Sequence, residues 1–114
     1  MKKFFSLGLP AVLAIVGAQA ARAECSAFSC NAVSVSQLVM TGAGGFYVGT
    51  SGNEQLTGCT PNSGVYLYMA NSGNFKEIYA TLLAAQLSNR IVSIELNPSI
   101  TATCTISYVT LTEQ

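Results

Sequence analysis

The sequence predicts one small, mainly β domain with a single helix (α+β), its elements running β-β-β-α-β-β. Three observations predict it. Short runs in which apolar and polar residues alternate recur between Asn31 and Thr112, as half-buried strands require. One stretch alone, from Phe75 to Leu83, repeats its apolar residues at three and four residue spacing. The segments between are rich in Gly, Asn, Ser and Thr, which favour turns.

The first element expected is an export signal over residues 1–23. Lys2 and Lys3 give a positive start, Phe4 to Ala18 is an uncharged apolar run, and Ala21-Arg22-Ala23 is a small-x-small cleavage pattern. Ala18-Gln19-Ala20 offers an alternative cut. The run is too short for a membrane anchor, and Glu24 next to Cys25 argues against a lipid-anchored cysteine. The remaining single domain, residues 24–114, is expected to be periplasmic or secreted, with no membrane insertion once the signal is removed.

Asn31 to Met40 starts as an alternating strand, Val33 and Val35 against Ser34 and Ser36, and then slips phase near Gln37. A slip in a two-residue period predicts a bulge and a bent strand. Gly42-Ala43-Gly44-Gly45 predicts a hairpin turn; it lacks the Lys-Ser/Thr of a phosphate loop. Phe46 to Thr50 is the second strand. Ser51 to Gly64 is a long polar loop, of a length usually functional or pinned. Val65 to Met69 is the third strand, with Val65, Leu67 and Met69 on one face and Tyr66 and Tyr68 on the other. The helix is capped by Asn74, with Glu77 in the capping-box position, and its apolar stripe is Phe75, Ile78, Tyr79, Leu82 and Leu83. Asn89 and Arg90 suit its end. Ile91 to Leu96 and Thr103 to Thr112 are the last strands, separated by Pro98. The expected core takes the inward set of each element: Val33, Val35, Phe46, Val48, Val65, Leu67, the helix stripe, Val92, Ile94 and Ile106.

A domain of this size buries a limited core, so cross-links help. Four cysteines in an exported chain predict two disulfides, among three possible pairings. Cys59 lies in the long loop and Cys104 opens the last strand, so Cys59–Cys104 is the expected bridge to the loop, leaving Cys25–Cys30.

Charge and composition exclude several functions. After the signal, Lys76 and Arg90 face Glu24, Glu54, Glu77, Glu95 and Glu113, a net charge of −3. Two cations form no basic patch, which excludes nucleic-acid binding. The chain has no His, Asp or Trp. Without His there is no Ser-His-Asp or Cys-His nucleophile and no common metal ligand, and the scattered cysteines lack zinc spacing. A two-carboxylate glycosidase site is disfavoured because four of the five Glu fall in segments expected to be exposed. The protein is expected to be no enzyme and to need no metal and no cofactor.

The order of three strands, a helix and two strands, together with Asn74-Phe-Lys-Glu-Ile-Tyr-Ala-Thr-Leu-Leu-Ala-Ala-Gln-Leu-Ser-Asn89, Val92-Ser-Ile-Glu-Leu96 and Cys104-Thr-Ile-Ser-Tyr108, resembles the second half of small OB-type toxin B subunits of the subtilase-cytotoxin and pertussis-like type. The resemblance covers roughly the last forty residues well and the remainder by strand order. It implies a five-stranded OB-type barrel, a glycan-binding, B-subunit-like role, and assembly of identical subunits into a pentamer with a toxin A subunit as partner. It also implies that the helix stripe Glu77, Thr81, Ala84 and Ser88 faces a central pore. No sugar-contact motif of that family aligns with particular residues here. Chemistry alone nominates Tyr66 and Tyr68, joined by Tyr47 if its strand is adjacent and in phase, with the loop residues Ser51, Asn53 and Gln55 beside Glu54, as contacts for a cell-surface glycan. The alternative function is a stand-alone periplasmic or secreted binding or inhibitor module without a toxin partner.

Overall fold

The structure, a computed structural model, describes residues 23–111. The expected export signal, but for its last residue, and the last three residues lie outside the described residues.

The described chain is mainly β with one helix. The strands are β1 (Glu24–Ser26), β2 (Ser29–Val33), β3 (Val35–Met40), β4 (Phe46–Thr50) and β5 (Leu67–Met69). The helix α1 (Phe75–Ser88) follows, and then β6 (Val92–Leu96) and β7 (Ile106–Leu111). They form two antiparallel sheets, one ordered β1-β2-β6-β7 and the other β3-β4-β5. The two sheets do not close into a barrel.

The bent strand expected from the phase slip is the hinge of this arrangement. The register shifts between Cys30 and Val33 in β2 and again between Val35 and Gln37 in β3. Ala32 between the first pair has φ 53°, a left-handed conformation that kinks the strand. Ser34 separates β2 from β3, and there the chain leaves one sheet for the other. Its backbone groups stay paired at the corner. Ser34 N–H donates to Ser51 Oγ (3.0 Å), and Ser51 N–H donates to the Ser34 carbonyl (3.0 Å). Elsewhere the sheets meet at one parallel bridge between Tyr68 and Thr105, where Tyr68 N–H donates to the Cys104 carbonyl (2.7 Å).

The core lies between the sheets and under α1. Val33, Phe46, Val48, Leu67, Leu82, Val92 and Ile94 are fully buried, with Val35 and Ile106 nearly so. Phe75, Ile78 and Tyr79 are half-buried and pack on that core, the rings of Phe75 and Tyr79 lying 5.6 and 5.4 Å from Phe46. Leu83 is half-buried, and Ala85, outside the expected stripe, is buried in its stead. Val65 departs from the expectation: it is exposed. Asn62 and Tyr66 bridge a tight turn that includes Ser63 (φ 54°) and Gly64 (φ 81°), so the strand proper begins only at Leu67 and Val65 sits outside the pleat.

Asn74 is a second correction, since its side chain makes no capping bond. The helix is entered through Gly73 (φ 58°), and Phe75 N–H reaches the Ser72 carbonyl (3.2 Å). At the other end Asn89 (φ 57°) adopts the left-handed stop, its N–H pointing to the carbonyls of Ala85 and Gln86.

The disulfides are Cys25–Cys30 and Cys59–Cys104, the pairing expected from the sequence. The first joins directly opposed residues of the β1–β2 hairpin. The second ties the long loop to the segment entering β7. Among the described residues no helix is long and apolar enough to cross a membrane.

Candidate functional site

The residues nominated from the sequence fall in different places. Tyr47, Tyr66 and Tyr68 share the face of the three-stranded sheet opposite Phe46, Val48, Leu67 and Met69. Tyr47 and Tyr68 are in register on neighbouring strands with rings 5.1 Å apart, and Tyr66, two residues before Tyr68, lies 6.1 Å from Tyr47. The three rings therefore form a half-buried row. Its two ends differ. Tyr68 lies over the β3–β4 hairpin: a Cβ on Gly45 would stand 2.8 Å from its hydroxyl and 2.7 Å from the Met69 carbonyl, so only glycine fits beneath. Tyr66 points the other way, and its hydroxyl donates to Gln37 Oε1 (2.9 Å).

Tyr66 forms one wall of a cleft of about 460 Å³ between β3, β4 and the start of the long loop. Ser36, Gln37, Thr50, Asn53, Glu54 and Val65 share its lining. Of the nominated residues, Tyr66 and Asn53 meet there. Ser51 does not, because its hydroxyl is used at the Ser34 corner. Gln55 and Tyr68 lie outside it as well.

The loop folds this way because its first turn is locally pinned. Asn53 Oδ1 accepts the Gln55 N–H (3.1 Å) and so caps a single 3-10 turn over Glu54–Leu56. Further along, Gly58 N–H donates to the Ala27 carbonyl (2.6 Å), and Cys104 N–H donates to the Thr60 carbonyl (3.1 Å) beside the Cys59–Cys104 bridge. The loop also lies against the other disulfide, since a Cβ on Gly52 would come within 2.9 Å of Cys25 Sγ.

Glu54 is the residue that sequence reasoning placed only as a polar loop neighbour. It is 4% exposed, the one buried charged residue among those described. Its Oε2 accepts from Thr50 N–H (2.8 Å) and from Thr50 Oγ1 (2.6 Å). Both donors fall on that one oxygen; Oε1 has no hydrogen-bond partner among the described residues. Nothing in the local sequence signals this burial, which depends on the bend that brings Thr50 back over Glu54. The lining contains no Lys or Arg. Chemically the cleft offers a carboxylate oxygen, the Asn53 and Gln37 amides, a serine hydroxyl and an aromatic face.

The helix stripe lies elsewhere. Glu77 and Thr81 border a second cleft of about 470 Å³ between α1 and β7, with Asn74, Ser107, Tyr108 and Ile78. Ala84 and Ser88 continue the stripe and are exposed. The hydroxyls of Thr81 and Ser88 are spent on the carbonyls of Glu77 (2.9 Å) and Ala84 (2.7 Å). No group of three or more His, Cys, Asp or Glu is placed to hold a metal ion among the described residues. No protein-family model, no curated protein and no solved structure matches the chain.

Proposed function

We propose that this protein is an exported, non-enzymatic saccharide-binding module and that the Glu54–Tyr66 cleft is its binding site. The observation that carries this reading is the conjunction, in one open cleft, of an aromatic ring, two amide side chains and the buried Glu54, whose Oε1 has no hydrogen-bond partner among the described residues. Sugars present an apolar ring face flanked by hydroxyl donors and acceptors, and a ring beside convergent amide and carboxylate groups answers both. The two disulfides suit an oxidising compartment, which supports export.

The finer fold reading is an opened OB-type arrangement. Its support is the circuit of neighbours: β3-β4-β5, then the Tyr68–Thr105 bridge to β7, then β6 and β2, which runs back into β3. Self-assembly into a ring belongs to the same proposal. Among the described residues β7 has a partner strand on one side only; it carries no charge or proline and exposes Tyr108 and Leu111. Sedimentation of the disulfide-intact protein at tens of micromolar separates the alternatives: a closed oligomer supports the ring, and a monomer supports the stand-alone module.

The binding site is tested on a glycan array. Tyr66→Ala combined with Asn53→Ala is expected to remove binding, whereas Tyr68→Ala leaves it intact. Loss with Tyr68→Ala and retention with the double variant would place the site at the other end of the tyrosine row.

A further inference from the structure

We infer that Glu54 makes this cleft selective for saccharides bearing a free, protonated amine over their N-acetylated and acidic counterparts; the inference rests on the saccharide-binding reading above. The Glu54 carboxylate is bonded asymmetrically. Thr50 supplies both donors to Oε2, and Oε1 is left without one among the described residues. A buried carboxylate oxygen lacking a donor is costly, so a ligand that supplies one gains more there than at an exposed group.

Among the described residues the cleft lining holds no counter-charge for it. The only Lys and Arg of residues 24–114 are Lys76 and Arg90, at the two ends of the helix segment and outside the lining. A ligand ammonium meets both needs at once, giving Oε1 an N–H donor and the carboxylate a counter-charge; such charge-assisted bonds are about twice as strong as neutral ones. The Tyr66 ring on the adjoining wall is a second attraction for the same cation. N-acetylation removes the charge and leaves one N–H. A sialylated or uronate-bearing sugar brings a like charge toward Glu54 with no cation in the cleft to receive it. The Gln37 and Asn53 amide NH2 groups remain as donors to the neutral hydroxyls.

The test compares chitosan oligosaccharides, with free amines, against fully N-acetylated oligomers of the same length at slightly acidic pH, using calorimetry on the disulfide-intact protein. The amine form is expected to bind about tenfold more tightly, and sialylated glycans are expected not to bind. Glu54→Gln is expected to reduce the amine preference to about twofold. Should that variant fail to fold, the native protein carries the same test: about 0.5 M salt should shrink the amine preference several-fold and leave N-acetyl binding unchanged. Equal binding of the two forms by the native protein, or a preference that survives Glu54→Gln or salt, overturns the inference and leaves the saccharide reading standing. Absence of binding to any saccharide overturns both.

Discussion

Glu54 and Leu82 are both buried, and only the burial of Leu82 is legible in the sequence. Leu82 belongs to a stripe whose period alone points it inward, and it is fully buried. Leu82→Ala is expected to cost about 2–5 kcal/mol in denaturant unfolding. Glu54 sits in a polar loop where burial has no periodic signature; its environment is made by Thr50, four residues earlier, after the chain has turned. Asn74 shows the converse, a strong local motif that the structure leaves unused. Its side chain donates and accepts no cap bond, because Ser72 and Gly73 shape the entry into the helix. Asn74→Ala is therefore expected to change stability by less than about 0.5 kcal/mol, against about 1 kcal/mol for a working cap. A larger loss would restore the capping box.

At the scale of elements, pattern carried most of the arrangement. The hairpin turn at 41–45, the helix stop at Asn89 and the strands β4, β6 and β7 follow from period and turn chemistry, which are local. The short β1 and its pairing to β2 did not, since Glu24–Ser26 is three residues long and too brief to show a period. The phase slip near Gln37 did announce a bend, but not that the chain changes sheets at Ser34. That outcome depends on Ser51 pairing with the corner from 17 residues away. The two disulfides act on different lengths of chain. Cys59–Cys104 spans a sequence separation of 45 and Cys25–Cys30 one of 5. In the chain-entropy model these constrain the unfolded state by about 4 and about 2 kcal/mol respectively. Replacing each pair by alanines and measuring urea unfolding is expected to rank the long bridge as the costlier loss; the reverse order would mean that the β1–β2 hairpin anchors more of the fold than its length suggests.

For the whole molecule, the sheets and the helix create two clefts of similar size, and their chemistry sets them apart. The cleft between α1 and β7 is bordered by an exposed carboxylate, Glu77, and by an exposed ring, Tyr108. The cleft at Glu54 holds a buried one beside Tyr66, and its Oε1 has no donor among the described residues, whereas a solvated carboxylate is satisfied by water. The tyrosine row was readable as a face from its strand period. Which end of it opens onto a cleft was not, because Gly45 closes one end and the loop turn at Asn53 opens the other, and both are tertiary facts. Placement of the saccharide in the proposed Glu54–Tyr66 site is tested by a two-dimensional NMR titration of the disulfide-intact protein with a glycan retained on the array. Amide shifts are expected to concentrate at Gln37, Gly49, Thr50, Asn53, Glu54 and Tyr66; shifts confined to residues 72–81 and 107–109, or a protein that retains no glycan at all, would rule that site out.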